Sequence, residues 1–132
     1  MASEWNSPGS PLREAFEAAE EKKALDITVL DVKEAAGFTD HFLICTGTSS
    51  RQIQTICDEV ERRLTLAGLR PLHVEGYNHA EWILMDYVDF VVHIFSERAR
   101  SFYDLERLWR NARRVNREQR GSRGQAAGTS QD

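Results

Sequence analysis

The stretch "HFLICTGTSSRQIQTICDEVERRLTLAG" (41–68) places a strand and a helix in immediate succession. Its first seven residues, "HFLICTG" (41–47), are largely apolar on both faces, which is typical of a central strand. The remainder repeats apolar side chains at helical spacing and predicts one buried stripe, formed by Ile53, Ile56, Cys57, Val60 and Leu64. Polar residues at 48–50 can cap the start of this helix, and Gly68 can end it. A strand followed by an amphipathic helix indicates helices packed on a sheet.

The segment before this unit contains a helix and a strand. Ser10 and Pro11 supply an N-cap and a first-turn proline, so we expect a short amphipathic helix to Ala24. "DITVLDV" (26–32) alternates and is rich in β-branched residues, which predicts a strand. One face of that strand would carry Ile27 and Val29, and the other Thr28, Leu30 and Val32. Residues 1–9 are expected to be a disordered leader.

Three short strands and a helix are predicted after Gly68. The strands are "PLHVEG" (71–76), "EWILMDY" (81–87) and "DFVVHIF" (89–95), of which the last two are close enough to form a hairpin. "RSFYDLERLWRNARR" (100–114) predicts a helix capped by Ser101, with Phe102, Leu105, Leu108, Trp109 and Ala112 facing inward. Residues 115–132 are polar and glycine-rich, which is typical of a disordered tail.

The order of elements, α-β-β-α-β-β-β-α, predicts a single domain over residues 10–114. Its fold class is α/β, of an α+β-like kind, with a mixed sheet of about five strands and flanking helices. The length of 132 residues agrees with one domain and short tails.

The charge is unevenly distributed along the chain. Residues 1–95 carry 16 acids and 8 bases, a net charge of −8, whereas residues 96–132 carry 5 acids and 9 arginines, a net charge of +4. The acidic part argues against a protein that coats nucleic acid, although the basic tail can touch RNA. Neither a secretory signal nor a membrane-spanning run is visible, so a cytoplasmic protein without a membrane partner is expected.

Catalytic and metal-binding patterns are weak in this sequence. Cys45 and Cys57 lack the spacing of a zinc site and are expected to be buried thiols. The turn Gly47–Ser50, between a strand and a helix N-terminus, leaves a nucleotide-binding or nucleotidyltransferase-like enzyme as an alternative. Mg²⁺-dependent transfer needs converging carboxylates, whereas Asp86 and Asp89 are separated by a predicted turn. No cofactor, metal or catalytic residue is assigned.

The stretch "HAEWILMDYVDFVVHIF" (79–95) contains two strands that are apolar on both faces. Strand alternation places Trp82, Leu84 and Asp86 on one face and Ile83, Met85 and Tyr87 on the other. One face must meet the core, and the other requires a helix or a partner. Trp82 is therefore either a core residue or part of a protein-binding patch, because aromatic residues and Met are enriched in interface hot spots.

Four segments, in this order and spacing, resemble the ribosomal silencing factor (RsfS, Iojap) family. They are "ALDITVLDV", "TDHFLICTGTSSRQIQTICDEV", "VEG…AEWILMDYVDFVVHIF" and "RSFYDLERLW", and they cover about residues 24–110. The most specific feature is the succession of EG, W-x-x-x-D, VHIF and R-x-F-Y-x-L-E-x-L-W. The resemblance implies a fold related to nucleotidyltransferases but without their catalytic acids, and a role that is not enzymatic.

The resemblance also implies the partner. Members bind ribosomal protein L-fourteen on the large ribosomal subunit and sterically block joining of the small subunit, which lowers translation under nutrient limitation or in stationary phase. Direct contact with rRNA is expected to be minor. A homodimer off the ribosome is a further expectation, because an exposed apolar patch tends to be covered.

The family motifs map onto residues of this chain. Trp82 and Asp86 match the W-x-x-x-D pair, and we expect them to lie in or beside the ribosomal-protein contact together with Leu84, Met85 and Tyr87. The other matching residues are interpreted as scaffold, namely Glu75, His93, Arg100, Tyr103 and Trp109. Members often have glycine where this chain has Val88. Valine is strained at positive φ, so a different or longer turn is expected there.

Overall fold

A mixed sheet with helices on both sides forms the protein. The structure, a computed structural model, describes residues 4–110 and 112–115. In chain order its elements are a 3-10 helix (Glu4–Asn6), α1 (Pro11–Glu21), β1 (Leu25–Asp31), α2 (Lys33–Ala36), β2 (His41–Gly47), α3 (Ser50–Leu66), β3 (His73–Glu75), β4 (Trp82–Asp86), β5 (Phe90–Ser96), α4 (Glu97–Tyr103), α5 (Leu105–Leu108) and β6 (Arg113–Arg114).

The sheet has the strand order β3-β4-β5-β2-β1-β6. β2 and β5 run parallel, and every other neighbouring pair is antiparallel. The five predicted strands are all present, and β6 adds two residues at one edge. The predicted fold class, a single domain with a mixed sheet and flanking helices, is therefore confirmed. β4 and β5 form the expected hairpin, which places the 79–95 stretch at the β3 side of the sheet.

The two faces of the sheet bury different side chains. α1 and α3 cover one face, where the alternation in β1, β4 and β5 directs Val29, Ile83, Met85, Val92 and Ile94. The opposite face, here called the open face, is formed by Leu30, Val32, Phe42, Ile44, Val91, His93 and Phe95, with Trp82 and Leu84 partly buried beside them. Among the described residues, the elements that pack on the open face are the short helices α2, α4 and α5, so this face is less completely covered than the first, which carries α1 and α3.

The N-terminal residues are folded over much of the segment expected to be a leader. Ser10 caps α1 by accepting a hydrogen bond from the Arg13 N–H at 3.2 Å. Trp5 is only 6% exposed and packs on Phe16 with ring centroids 5.6 Å apart. Residues 4–9 therefore belong to the domain, because α1 offers the indole an apolar surface that a sequence pattern does not reveal. Residues 1–3 lie outside the described part.

The last predicted helix differs most from the structure. Instead of one helix over 100–114, α4 begins at Glu97 and is capped by the Ser96 hydroxyl, which accepts from the Ala99 N–H at 3.0 Å. Asp104 adopts left-handed geometry with φ 51° and separates α4 from α5. The prediction of inward-facing Phe102 and Leu108 is wrong, since they are 78% and 72% exposed. The other three residues do pack on the open face, namely Leu105, Trp109 and Ala112.

The C-terminal boundary of the domain lies slightly beyond residue 114. Val115 is 7% exposed, and its N–H donates to the Val29 carbonyl at 2.8 Å. The expected disordered tail otherwise falls on residues 116–132, which lie outside the described part of the chain. Within the described residues, no helix combines the length and apolar character needed to cross a membrane.

Arg63 of α3 joins α3 to α1 through several carboxylates. Its Nε lies 3.1 Å from Glu59 Oε2, and its other nitrogens contact Glu14, Glu17 and Glu21. Hydrogen bonding from Arg62, followed by that from Arg63, lowers the pKa of Glu59 to about 2. The helical layer over the first face is thus held by buried apolar contacts below and by ion pairs at its surface.

Candidate protein-binding face

The predicted contact residues of β4 divide between the two faces of the sheet. Trp82, Leu84 and Asp86 are partly exposed on the open face. Met85 is fully buried, and Tyr87 is 3% exposed, both on the face covered by α1 and α3. Met85 and Tyr87 therefore present no surface for a direct contact, so of the predicted positions, in or beside the contact, only a position beside it is open to them. Their burial follows from the same alternation that exposes their neighbours.

Trp82 is held in a defined orientation on the open face. Its indole N–H donates to Nδ1 of His93 at 3.1 Å. The indole ring packs against both Phe95 and Tyr103, with centroid distances of 5.0 and 4.6 Å. Because Tyr103 belongs to α4 and the other two residues to β5, the indole is fixed by both the sheet and the helix that covers it. The remaining exposed part of the ring is available to a partner.

Aromatic rings continue across the open face from Trp82 towards β2. His93 meets Phe42 at 4.8 Å, and Phe42 meets Trp109 at 5.5 Å, both in T-shaped contacts. Phe38 lies 6.4 Å from Trp109 and is 65% exposed. At the other end, Phe102 contacts Tyr103. The result is one connected series of rings with solvent-exposed aromatic residues at both ends.

The sequence pattern does not reveal some of these exposed rings. The sequence pattern gives Phe38 no role, predicts that Phe102 faces inward, and favours a scaffold role for Tyr103, which is 49% exposed. An aromatic residue in a polar turn, as in "AAGFTD" (35–40), is the one signal that was available for Phe38. Trp109, which directly follows α5, packs against the open face, as a scaffold residue would.

Acidic side chains lie beside Trp82 and Leu84. Cross-strand pairing places Glu75 opposite Leu84 and His73 opposite Asp86. His73 Nε2 lies 3.4 Å from Glu75 Oε2 and 4.0 Å from Asp86 Oδ2. The Glu75 and Asp86 side chains are 70% and 25% exposed. An apolar patch flanked by carboxylates complements a basic protein surface better than an acidic one.

Asp86 also organises the turn after β4. Its Oδ1 accepts from the Val88 N–H at 2.8 Å, while the Val88 carbonyl accepts from the Thr39 hydroxyl at 2.8 Å. Val88 has φ 75° and is 57% exposed. Of the two expectations for this position, a different or a longer turn, the longer turn does not form, because Tyr87 N–H bonds directly to the Phe90 carbonyl across two residues. These hydrogen bonds hold Val88 in left-handed backbone geometry, which a β-branched side chain seldom adopts.

His93 and the cysteines are buried groups without an exposed reactive atom. His93 is 4% exposed, and burial lowers its pKa to about 3, so it is neutral at physiological pH. Cys45 and Cys57 are both buried as expected, and burial raises the pKa of each thiol to about 12. Thiols with such pKa values are poor nucleophiles at neutral pH.

The Gly47–Ser50 turn lines a shallow depression at the start of α3. The Ser49 hydroxyl is used as the helix cap, accepting from the Gln52 N–H at 3.0 Å. Glu81 and Glu97 line the same depression, and two carboxylates oppose the binding of a phosphate group. Nor do three His, Cys, Asp or Glu side chains converge at a metal-binding geometry anywhere in residues 4–110 and 112–115. The depression thus carries nothing that favours the nucleotide-binding alternative.

Comparison with known proteins agrees with the resemblance in the sequence. The family described as "Ribosomal silencing factor during starvation" matches residues 6–132. The ribosomal silencing factor RsfS of Bacillus subtilis is 40% identical over 103 residues, which cover 78% of this chain and 87% of that protein.

Two solved structures have the same fold. A crystal structure of a Chromobacterium violaceum protein superposes with a TM-score of 0.73 at 34% identity, covering 75% of this chain and 82% of that one. A structure from Bacillus halodurans gives a TM-score of 0.68 at 39% identity, covering 74% and 91%. Sequence and fold therefore give the same relationship over most of the domain.

Proposed function

The chain belongs to the ribosomal silencing factor (RsfS) family, and we propose that it represses translation by binding the large ribosomal subunit through ribosomal protein L-fourteen. Bound there, the domain blocks joining of the small subunit. The proposed action is stoichiometric and not enzymatic, and it lowers translation when nutrients are limiting or in stationary phase. The family description, which refers to starvation, supports this physiological setting.

The observation that carries the proposal is the partly exposed pair Trp82 and Leu84 on an incompletely covered sheet face. Large aromatic side chains at the centre of an apolar patch supply most of the binding free energy in many protein interfaces. Trp82 is already ordered by His93 and Tyr103, so little side-chain entropy is lost on binding. A preorganised aromatic patch of this kind suits a protein partner better than a small substrate.

The charges of the domain support a basic partner. Residues 1–95 carry a net charge of −8, and Glu75 and Asp86 lie beside the apolar patch. Complementary charge accelerates association and orients the docking domain. Proteins that bind rRNA are generally basic, so a ribosomal protein fits this surface better than exposed rRNA, whose phosphates the acids repel.

The proposal is tested by retention of purified ribosomal protein L-fourteen in a pull-down and by co-sedimentation with large subunits. Trp82→Ala should weaken binding by about 30-fold, which corresponds to the roughly 2 kcal/mol typical of a hot-spot residue. Leu66→Ala is the matched control, because Leu66 is 76% exposed on α3, away from the open face. A folded Trp82→Ala variant that binds and inhibits subunit joining like the parent would show that the contact surface is elsewhere.

We also propose that the open face is covered by a second copy of this chain when the ribosome is absent. Exposed Phe38 and Phe102 at its two ends extend the apolar area beyond Trp82. Self-association through this face would compete with L-fourteen. In analytical ultracentrifugation, added L-fourteen should then convert the dimer into a one-to-one complex, whereas a dimer that binds L-fourteen without dissociating would place the two interfaces apart.

A further inference from the structure

The hydrogen bond between Trp82 and His93 joins the proposed contact residue to a buried group. Leu84 lies directly opposite His93 in the β4–β5 register, and Trp82 lies opposite Phe95, so the indole reaches His93 diagonally. The indole Nε1 is 3.1 Å from His93 Nδ1, and the ring centroids are 5.9 Å apart. The bond therefore joins two adjacent strands, β4 and β5, on the open face.

The direction of this bond determines the form of the imidazole. Since the indole N–H is only a donor, Nδ1 must be the unprotonated acceptor, and the imidazole proton lies on Nε2. Burial favours the neutral ring, so this acceptor persists at physiological pH. The imidazole is itself restrained by the T-shaped contact with Phe42 at 4.8 Å and by stacking on Phe95.

Among the described residues, the other contacts of His93 give no reason for a histidine at this position. Its neighbours on the open face are apolar or aromatic, and Nε2 is buried without a hydrogen-bond partner among the described residues. An unpartnered buried N–H is unfavourable, and an aliphatic side chain would fill the same space without it. What the imidazole adds is the acceptor for the indole N–H.

We propose that His93 is a positioning residue that holds the Trp82 indole in its partner-binding orientation. This inference rests on the proposed function, because it assumes that Trp82 contacts the partner. It also specifies the chemistry of that contact. With the indole N–H bonded inside the protein, the partner meets only the apolar ring and its π-face, which suits an aliphatic side chain or a stacked guanidinium and not a hydrogen-bond acceptor.

Two substitutions, His93→Leu and His93→Asn, distinguish the loss of the hydrogen-bond acceptor from a change in packing. Leucine removes the acceptor, whereas the Asn carboxamide oxygen can replace Nδ1. In amide NMR spectra the Trp82 indole N–H, assigned with Trp82→Phe, should exchange with solvent faster in His93→Leu and remain protected in His93→Asn. Binding of L-fourteen should weaken about five- to tenfold in His93→Leu, the effect of freeing one ordered side chain, and stay within about twofold in His93→Asn.

Val91→Ala is the packing control, because Val91 lies two residues away on the same face of β5 and contacts no indole N–H. It should lower stability but leave the Trp82 signal and the affinity unchanged. A double-mutant cycle adds an independent measurement: in a Trp82→Phe background, His93→Leu should cause no further loss of affinity.

Two results would overturn the inference. One is an indole N–H that exchanges equally fast in the parent and in His93→Leu; the other is equal affinity of those two proteins for L-fourteen. Failure of the proposed function gives a different pattern, because the unmodified protein would then not retain L-fourteen at all, while the NMR comparison would still report on the hydrogen bond.

Discussion

Arg100 of α4 and Glu106 of α5 form an ion pair across Asp104, the left-handed residue that separates the two helices, with Arg100 Nε 3.3 Å from Glu106 Oε1. The same guanidinium donates to the Thr46 hydroxyl at 2.9 Å and to the Asp26 carbonyl at 2.7 Å. One side chain thus connects the C-terminal helices to β1 and β2. It thereby holds α4 and α5 against the open face beside Trp82.

Loss of this connection should destabilise the domain. The Arg100 side chain is 14% exposed, and Arg100→Met removes the guanidinium together with its contacts to Glu106, Thr46 and the Asp26 carbonyl. We expect the free energy of unfolding, measured by urea denaturation, to fall by about 2–3 kcal/mol. Arg98→Met is the matched control, because the Arg98 side chain is 86% exposed, and its loss should cost less than about 0.5 kcal/mol. Equal losses would contradict the role assigned to Arg100.

The strained turn at Val88 predicts a stabilising substitution. With φ 75° and 57% exposure, Val88 carries backbone strain but contributes little buried area. Val88→Gly should raise the free energy of unfolding by about 1 kcal/mol, since glycine adopts positive φ without a steric penalty. Val88→Ala keeps a Cβ and should gain much less. A glycine variant with a lower urea midpoint than the alanine variant would show that the turn is not strained.

The lowered pKa of Glu59 predicts that the folded protein loses stability in acid. Its pKa in the folded protein, about 2, lies below its ordinary value of 4.5, chiefly because Arg62 donates hydrogen bonds to it. The unfolded chain therefore binds the proton more readily. The associated stabilisation, on the order of 1 kcal/mol after allowance for exposed Arg62, is present above about pH 4.5 and disappears as the pH falls towards 2.

A comparison of the parent with Glu59→Gln over this pH range measures the contribution. The difference in unfolding free energy between the two proteins should be largest near neutral pH and shrink below pH 4.5. A difference that stays constant down to pH 2 would assign the stabilisation to another carboxylate.

Truncation distinguishes the proposed contact from an RNA-binding tail. Val115 packs in the core and bonds to Val29, so the deletion should begin at residue 116. Removal of residues 116–132 should leave co-sedimentation with large subunits within about twofold of the parent. Loss of association on this truncation, together with a steep dependence on salt, would instead favour contacts between the arginines of the tail and rRNA phosphates.

Local periodicity was sufficient to predict most of the elements. The apolar stripe of α3 and the alternation in β1, β4 and β5 each depend on side-chain spacing within a few residues, and the structure confirms both. The left-handed conformation of Asp104 could not be predicted in this way, because it depends on tertiary contacts. It is the conformation in which α5 turns back onto the open face and Arg100 reaches Glu106. The short strand β6 likewise depends on β1, which is about 80 residues earlier in the chain.

For the candidate face as well, the sequence determined one part of the arrangement and the tertiary structure the other. The sequence by itself determined which side chains of β4 share a face, because residues in a strand alternate with a period of two. Only the tertiary structure decided that α1 and α3 bury Met85 and Tyr87 while Trp82 and Leu84 stay partly exposed. Alternation is a property of the backbone, whereas coverage depends on where distant helices pack, and that is settled only when the whole core assembles.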